Sequence, residues 1–165
     1  MKQIWLAGGC FWGVEAYFMQ LKGVLNTRVG YGQGVIDDPT YQLVCTGTTG
    51  YTEICEVTYD ETVLSLPKIL EHYFRIIDPT SVNRQGPDRG TQYRTGVYYT
   101  TEAEKLAITD FIAAMQSHYP RAIVVEVEPL RRFYPAEDYH QQYLAKTPGG
   151  YCHVDLNLAR PDERK

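Results

Sequence analysis

The sequence has no closely spaced pair of cysteines and no cluster of histidines. Its four cysteines are Cys10, Cys45, Cys55 and Cys152. None of these spacings forms a Cys-x-x-Cys motif, which argues against a zinc knuckle and against a thioredoxin-type redox pair. Its four histidines are His72, His118, His140 and His153. They are scattered along the chain, so we expect each on a helix surface or in a loop, and we expect no metal site.

The sequence is also poor in positive charge and in long apolar runs. The formal net charge is −4, the isoelectric point is near 5.5 and no basic run occurs. Nucleic acid and anionic membranes are therefore not expected as partners. No apolar run approaches the ~18 residues of a membrane span, and Met1-Lys2 does not lead into the apolar core of a signal peptide. These absences predict a cytoplasmic protein.

What the sequence does contain predicts one well-filled core. Its 165 residues are 44% hydrophobic and include 14 tyrosines, which is enough apolar material for one domain and gives no sign of a second. We predict a single domain over residues 1–165. The glycine-rich run Pro148-Gly149-Gly150-Tyr151-Cys152 predicts that residues 148–165 form a mobile C-terminal tail.

The spacing of apolar residues and the capping motifs predict alternating strands and helices. Strands are predicted over residues 4–7, 24–31, 53–59, 96–99 and 122–128. Helices are predicted over residues 11–21, 65–77, 101–119 and 136–146. A glycine-rich break at residues 30–34 leads into a loop through Asp37-Asp38-Pro39. This order predicts an α+β fold: a two-layer split β-α-β (ferredoxin-like) sandwich with a mixed sheet, an extra helix and strand, and a long irregular C-terminal tail.

Cys10 follows two glycines where the first strand turns into the first helix. The unpaired N–H groups and the positive dipole end of a helix start stabilise a thiolate, so this position predicts a lowered thiol pKa and a nucleophile. Phe11 and Trp12 would then form the walls of a small pocket. Two alternatives stay open: a buried structural cysteine, and a nucleotide-binding turn, which Cys10 disfavours by taking the place of the middle glycine.

Glu53 is the second candidate residue, because strand alternation places it on the side of Cys55, Val57 and Tyr59. A carboxyl group on an apolar face has a raised pKa and can serve as a general acid at neutral pH. The alternative is a glutamate at a frayed strand end in water.

A long stretch without helical or strand periodicity covers residues 78–94. Loops of more than ~12–15 residues are uncommon in compact domains and tend to be functional. Asp88, Gln92 and Tyr93 are therefore candidate site residues. The alternative is a solvated loop held by side-chain bonds to its own backbone.

Together these segments resemble peptide methionine sulfoxide reductase A over nearly the whole chain. The resemblance rests on Gly9-Cys10-Phe11-Trp12-Gly13, Gly30-Tyr31, Tyr41, Val44-Cys45-Thr46-Gly47, Glu53, Asp78-Pro79-Thr80, Asn83, Gln85-Gly86, Asp88, Gly90, Gln92-Tyr93-Arg94, Ala136-Glu137-Asp138-Tyr139-His140-Gln141 and Gly150-Tyr151-Cys152. The Gly-Cys-Phe-Trp-Gly run is highly specific for this family. The ending Gly-Tyr-Cys-His-Val-Asp is similar to the A module of fused A–B reductases.

The resemblance implies thiol-dependent reduction of methionine-S-sulfoxide, free or in proteins, to methionine. It implies that Cys10 is the nucleophile and becomes a sulfenic acid, that Glu53 is the general acid, and that Cys152 resolves the sulfenic acid as a disulfide. Thioredoxin, or dithiothreitol in vitro, is the implied reductant. The implied substrate-binding residues are Phe11, Trp12, Tyr41, Asp88 and Tyr93. No bound cofactor is expected, and we expect a monomer.

The chain departs from the family pattern in two places. Tyr51-Thr52 stand where family members usually carry His-Ala before the catalytic glutamate. Cys55 is an extra cysteine on the strand with Glu53, and Cys45 lies near the pocket loop in the family pattern. We predict that both are buried and inert, because apolar surroundings raise a thiol pKa; the alternative is that one of them competes with Cys152. The residues alone also leave two other classes open: a cysteine–histidine acyl transferase, and an aromatic cage that binds quaternary ammonium groups.

Overall fold

The structure, a computed structural model, describes residues 1–34 and 39–165. Residues 35–38, and with them most of the loop predicted through Asp37-Asp38-Pro39, lie outside the described residues. The strands are β1 (Lys2–Gly8), β2 (Val24–Gly32), β3 (Thr52–Tyr59), β4 (Arg84–Gln85), β5 (Asp88–Arg89), β6 (Thr95–Tyr99), β7 (Glu126–Pro129) and β8 (Phe133–Pro135). The α-helices are α1 (Phe11–Met19), α2 (Tyr41–Cys45), α3 (Leu66–Ile76), α4 (Glu102–Met115) and α5 (Tyr143–Lys146).

Six of the strands form a mixed sheet in the order β7-β6-β1-β3-β2-β8. α1 connects β1 to β2, and β3 lies between these two strands, antiparallel to both. β1 also pairs antiparallel with β6. The β6–β7 pair is parallel. Helices packed on a mixed sheet confirm the predicted α+β fold class.

The two faces of the sheet carry apolar clusters of unequal size. The larger cluster, shared with α1 and α3, includes Cys55, Val57 and Tyr59 of β3. The smaller cluster, on the opposite face, includes Trp5 and Ile54. Because β3 contributes to both clusters, it is buried along its whole length. Ile54 is therefore apolar and buried although Thr52 and Glu56, on the same face of β3, are polar.

Capping residues start two of the helices where the sequence predicts them. Ser65 accepts a hydrogen bond from the Lys68 amide at 3.3 Å before α3, and Pro67 lies in the first turn. Thr101 and Glu104 form a capping box at the start of α4. Caps of this kind stabilise a helix by about 0.5–2 kcal/mol. In the part of the chain that the structure describes, no helix has the length and apolar content needed to cross a membrane.

Two segments differ from the predicted elements. The strand predicted over residues 122–128 is confined to β7, and the helix predicted over residues 136–146 is divided into a 3-10 turn at Asp138–His140 and α5. Gln142 lies between these two pieces and has a φ of 51°. A residue in this left-handed conformation does not continue an α-helix, so the helix is interrupted there. The sequence pattern does not predict α2 or β8. The helix has five residues and the strand has three, which is too few to show a periodicity.

The C-terminal segment is attached to the domain near its end. Glu163 accepts hydrogen bonds from Arg75 of α3 at 2.7 and 3.0 Å, and the Lys165 amide donates to the Gln20 carbonyl at 2.9 Å. Ala159 is fully buried. Cys152 therefore lies in a stretch that is held at both ends, by α5 and by these contacts. The mobility of residues 148–165 stays a prediction.

Candidate active site

Cys10 lies at the junction of β1 and α1. It is the residue before the first turn of α1 and is 7% exposed. Gly9 turns the chain there with a φ of 88°, and a Cβ at Gly9 would stand 2.7 Å from the Cβ of Gln85. Only glycine fits both this backbone conformation and this space. The turn that places Cys10 at the start of α1 therefore depends on Gly9.

The thiol of Cys10 is not activated in the resting structure. Burial raises its pKa well above the ordinary value, and Glu53, once ionised, raises it further. The amide of Trp12, in the first turn of α1, lowers the pKa by a smaller amount. The prediction of a lowered pKa is therefore wrong for the resting protein, because desolvation outweighs the effect of the helix start.

Glu53 lies in β3 opposite Tyr31 of β2. Its side chain is 1% exposed, so the alternative of a frayed strand end in water is wrong. Its Oε1 accepts a hydrogen bond from the Phe11 amide at 3.1 Å, whereas its Oε2 has no partner among the described residues. Burial raises the pKa of Glu53 to about 8, although the Phe11 bond acts in the opposite direction. The carboxyl group is therefore protonated at neutral pH.

Cys10 and Glu53 form a neutral pair at the start of α1. Phe11 follows Cys10 directly, so its bond to Glu53 brings the carboxyl group to the first turn of the helix that carries the thiol. Both groups keep their protons because both pKa values are raised. An acidic proton and a sulfur nucleophile in one buried site can act together on a polar, uncharged substrate.

Tyr41, Tyr93 and Asp88 belong to separate elements and lie around the site of Cys10 and Glu53. Burial raises the pKa values of Tyr41 and Tyr93, and the charge of Glu53 raises both further. Both hydroxyl groups therefore stay protonated and can donate hydrogen bonds. Asp88, in the β4–β5 hairpin, accepts a hydrogen bond from the Tyr151 hydroxyl at 2.7 Å. The structure thus brings the predicted polar residues together around Glu53.

The long predicted loop consists of short elements. It contains the β4–β5 hairpin, with Gly86 at a φ of 58° in the turn, and a 3-10 turn at Thr91–Tyr93. The Gln85 side chain accepts from the Asp78 amide at 2.8 Å and donates to the Asp78 carbonyl at 3.0 Å. Gln85 and Gln92 are both buried, so the loop is not solvated at these positions, although side-chain bonds to its own backbone do hold it, as the alternative states.

An aromatic layer surrounds the first turn of α1. The Trp12 indole stacks on Tyr143 with ring centroids 3.9 Å apart, and its Nε1–H donates to Nδ1 of His140 at 3.1 Å. Phe11 is buried and packs against Tyr31 and His140, with ring centroids 5.7 and 5.3 Å away. Phe11 is therefore packed inside this layer, whereas Trp12 stays partly accessible to solvent.

Two of the four histidines are more buried than the sequence analysis expects, whereas His118 is exposed and His153 lies in an irregular segment, as expected. His72 and His140 are each 1% exposed, and His72, inside α3, bonds to the Tyr17 hydroxyl at 2.7 Å. Apolar periodicity counts histidine as polar and so assigns it to a surface. His140 and His153 also contact site residues, which the sequence analysis did not identify. The sequence feature that could have indicated His140 and His153 is their position in or beside the segments that carry the family resemblance.

Cys152 lies against the helix that follows Cys10. A Cβ placed at Gly13 would stand 3.3 Å from Sγ of Cys152. Gly13 is three residues after Cys10, a spacing that makes helical residues neighbours. The Cys152 thiol donates to the Val154 carbonyl at 3.2 Å, and both cysteines are free thiols in this structure. The fold therefore brings Cys152 close to Cys10 although the two are far apart in sequence.

The other two cysteines differ from each other. Cys55 is fully buried and burial raises its pKa well above the ordinary value, which confirms the prediction. Cys45 is exposed, so the prediction of burial is wrong there: it ends a five-residue helix whose buried residue is Val44. Within residues 1–34 and 39–165, no group of three His, Cys, Asp or Glu side chains is placed to hold a metal ion.

Comparisons with known proteins identify the family. The family model described as peptide methionine sulfoxide reductase matches residues 2–165. The peptide methionine sulfoxide reductase MsrA of Clostridium acetobutylicum is 53% identical over 160 residues, which cover 97% of this chain and 99% of that protein. The crystal structure of Mxr1 from Saccharomyces cerevisiae in reduced form has a TM-score of 0.89 at 39% identity, covering 94% of this chain and 91% of that chain. Mxr1 in complex with Trx2 has a TM-score of 0.61 at 26% identity, with coverage of 86% and 84%. The chain therefore belongs to the peptide methionine sulfoxide reductase family.

Proposed function

We propose that this chain reduces the S epimer of methionine sulfoxide, free or in proteins, with Cys10 as nucleophile and Glu53 as general acid. The buried Glu53 carboxyl group carries the proposal. Its pKa of about 8 keeps it protonated at neutral pH, and its Oε2 is unpaired within the described part of the chain. A buried polar group without a partner costs about 1–3 kcal/mol. A sulfoxide oxygen that accepts this proton recovers that free energy.

The first step moves oxygen from the substrate to Cys10. Glu53 donates its proton to the sulfoxide oxygen, and the Cys10 sulfur attacks the substrate sulfur while its thiol proton passes to the Glu53 carboxylate. The S–S bond made by this attack breaks again as the hydroxyl group moves from the substrate sulfur to the Cys10 sulfur: the S–O bond of the substrate breaks, an S–O bond forms on Cys10, and methionine and a Cys10 sulfenic acid remain. The substrate sulfur gains two electrons and the Cys10 sulfur loses two. Glu53 ends the step in its starting, protonated form.

The proposed pocket has a polar side and an apolar side. Tyr41 and Tyr93 keep protonated hydroxyl groups near Glu53 and polarise the sulfoxide oxygen together with it. Asp88 supports this polar side and is held by Tyr151. On the apolar side, Phe11 and Trp12 hold the methyl group of the substrate.

Replacing Trp12 with alanine is expected to weaken substrate capture more than it slows the chemistry. The indole N–H is already bonded to His140, so the ring offers a substrate apolar contact area. Losing such contact raises KM for free methionine sulfoxide by about tenfold or more, with kcat changed far less. Trp5→Ala, on the opposite face of the sheet, is the control and should leave KM unchanged. A fall in kcat with an unaltered KM would contradict the assignment.

A second thiol completes the proposed cycle. Cys152 condenses with the sulfenic acid of Cys10, which forms a Cys10–Cys152 disulfide and releases water. The position of the Cys152 sulfur over Gly13 supports this role. Reduced thioredoxin then attacks the disulfide through a mixed intermediate. The similarity to yeast Mxr1, solved in complex with Trx2, supports a partner of this kind.

The proposed cycle needs no bound cofactor, because thiols supply and carry the electrons. We place the enzyme in the cytoplasm as a monomer. Its net charge of −4 gives it no electrostatic attraction for nucleic acid.

Incubation with the separated S and R epimers of free methionine sulfoxide and dithiothreitol tests the proposed function. Methionine is expected from the S epimer and not from the R epimer, and Cys10→Ser should abolish its formation. Cys45→Ser, which changes an exposed thiol, is the matched control and should keep the activity. Equal rates with both epimers, or methionine formation by the Cys10→Ser variant, would rule against the proposal.

A further inference from the structure

His153 has a buried ring nitrogen without a hydrogen-bond partner. Its Nε2 lies 2.9 Å from the carbonyl oxygen of Gly8. A carbonyl oxygen only accepts, so Nε2 carries the proton and Nδ1 of the neutral ring is an acceptor. No described residue donates to Nδ1, although this atom is buried. Burial lowers the pKa of His153, so the ring is neutral at neutral pH and Nδ1 is free to take a proton.

The ring occupies a slot between two glycines on either side of Cys10. A Cβ at Gly9 would stand 2.9 Å from Nε2 of His153, and a Cβ at Gly13 would stand 3.1 Å from its Nδ1. The same point at Gly13 is 3.3 Å from Sγ of Cys152. The unpaired nitrogen and the second thiol therefore lie at the same end of the slot, over the first turn of α1.

Anchoring of the chain alone does not account for this nitrogen. The bond from Nε2 to Gly8 is enough to fix the ring and its tautomer. That bond uses only Nε2 and leaves Nδ1 a buried acceptor without a donor among the described residues, which is unfavourable. The Cys152 thiol is a donor at the same place: it now bonds to the Val154 carbonyl, and rotation about its Cα–Cβ bond redirects it.

We propose that His153 accepts the proton of the Cys152 thiol while Cys152 attacks the sulfenic acid of Cys10. This rests on the proposed function, in which Cys152 is the resolving thiol. The S–H bond of Cys152 breaks and its proton moves to Nδ1. An S–S bond forms as the S–O bond on Cys10 breaks, and the leaving hydroxide is protonated to water, which returns His153 to its neutral form.

The pH dependence of disulfide formation separates this role from a structural one. The ionisable groups around the ring are Cys10 before α1, Asp88 in the β4–β5 hairpin, and Cys152 in the ring's own segment. Burial lowers the pKa of His153, and the charge of Asp88 offsets part of this lowering. With the neutral ring as proton acceptor, the rate should change little between about pH 6.5 and 8.5. Without it, the step needs free thiolate, and the rate should rise about tenfold per pH unit below the thiol pKa.

His153→Gln tests the proposal, because the glutamine amide can keep the bond to the Gly8 carbonyl but is not a base. His118→Gln, at an exposed site, is the matched control. Each reduced protein is mixed with one equivalent of methionine-S-sulfoxide, and quenched samples are analysed for methionine and, by mass, for the Cys10–Cys152 disulfide. In His153→Gln, methionine should form within about threefold of the wild-type rate, while the disulfide should form about 10²-fold more slowly at pH 7 and accelerate as pH rises.

The two measurements keep the possible failures apart. An unchanged disulfide rate in His153→Gln, or a slow rate with the wild-type pH profile, would overturn the role of His153 and leave the proposed function intact. Equal losses in both steps would overturn it as well, because the ring would then only support the fold. Failure of the wild type to form methionine would overturn the proposed function and, with it, this step.

Discussion

Replacing Glu53 with glutamine is expected to slow methionine formation by about 10²–10⁴-fold, which is the usual value of a general acid. Glutamine has nearly the same size and can still accept the hydrogen bond that the Phe11 amide makes at 3.1 Å. It has no acidic proton to give to the sulfoxide oxygen. The measurement is the single-turnover rate of methionine formation by reduced protein without a recycling reductant, which isolates this step from disulfide formation.

Glu56→Gln is the matched control for this variant. Glu56 lies on the same strand but faces the other side of the sheet, where it accepts hydrogen bonds from Trp5 at 3.0 Å and from Arg28 at 3.1 Å. We expect this change to affect stability and to leave the single-turnover rate near the wild-type value. An unchanged rate in Glu53→Gln would remove Glu53 from the mechanism. Equal losses in both variants would indicate damage to β3 and not the loss of a proton.

The same carboxyl group sets the expected pH dependence of the reduction step. A general acid acts only while it is protonated, and the pKa of Glu53 is about 8. The rate should therefore be constant below that pH and fall about tenfold per unit above it, and Glu53→Gln should not show this fall. A wild-type rate that instead rises steadily with pH through this range would mean that the Cys10 thiolate must form before the substrate is protonated.

Local patterns predict the elements whose cause is local. Ser65 and Thr101 start helices because a cap and the first turn are adjacent in sequence, and the alternation in β3 places Glu53 on the side of Cys55. β8 has a distant cause, since it pairs with Gly30–Gly32 of β2. A Cβ at Gly30 would collide with the backbone of Tyr134, and no pattern near either residue shows this.

The residues of the site could be predicted more fully than their protonation. Cys10 and Glu53 stand out in the sequence because each is a reactive group in an apolar context. The prediction of a lowered Cys10 pKa was wrong because it considered only the local helix start, whereas the burial that raises the pKa comes from the assembled fold. For the same reason the slot that His153 fills could not be predicted, because it joins Gly9 and Gly13 to a segment near the other end of the chain. Family membership excludes the acyl transferase and the aromatic cage that the residues alone left open.

Replacing Cys152 with serine is expected to spare the first turnover and to stop thioredoxin-driven turnover. The variant should release about one methionine per enzyme and then stall, because Cys10 stays a sulfenic acid and thioredoxin has no disulfide to attack. Dithiothreitol, a small thiol, should restore part of the turnover by attacking the sulfenic acid directly. Methionine released per enzyme, measured with each reductant in turn, checks this result.

Cys45→Ser is the matched control, since Cys45 is the other cysteine that solvent can reach while Cys55 is fully buried. This control should turn over with thioredoxin like the wild type. Mass analysis after one turnover of the wild type should show a Cys10–Cys152 bridge, and a bridge from Cys10 to Cys45 would contradict the assignment. Continued thioredoxin-driven turnover by Cys152→Ser would be equally damaging. In that event the Cys45 and Cys152 changes combined would show whether Cys45 performs the resolution or whether thioredoxin reduces the sulfenic acid without a second thiol of this chain.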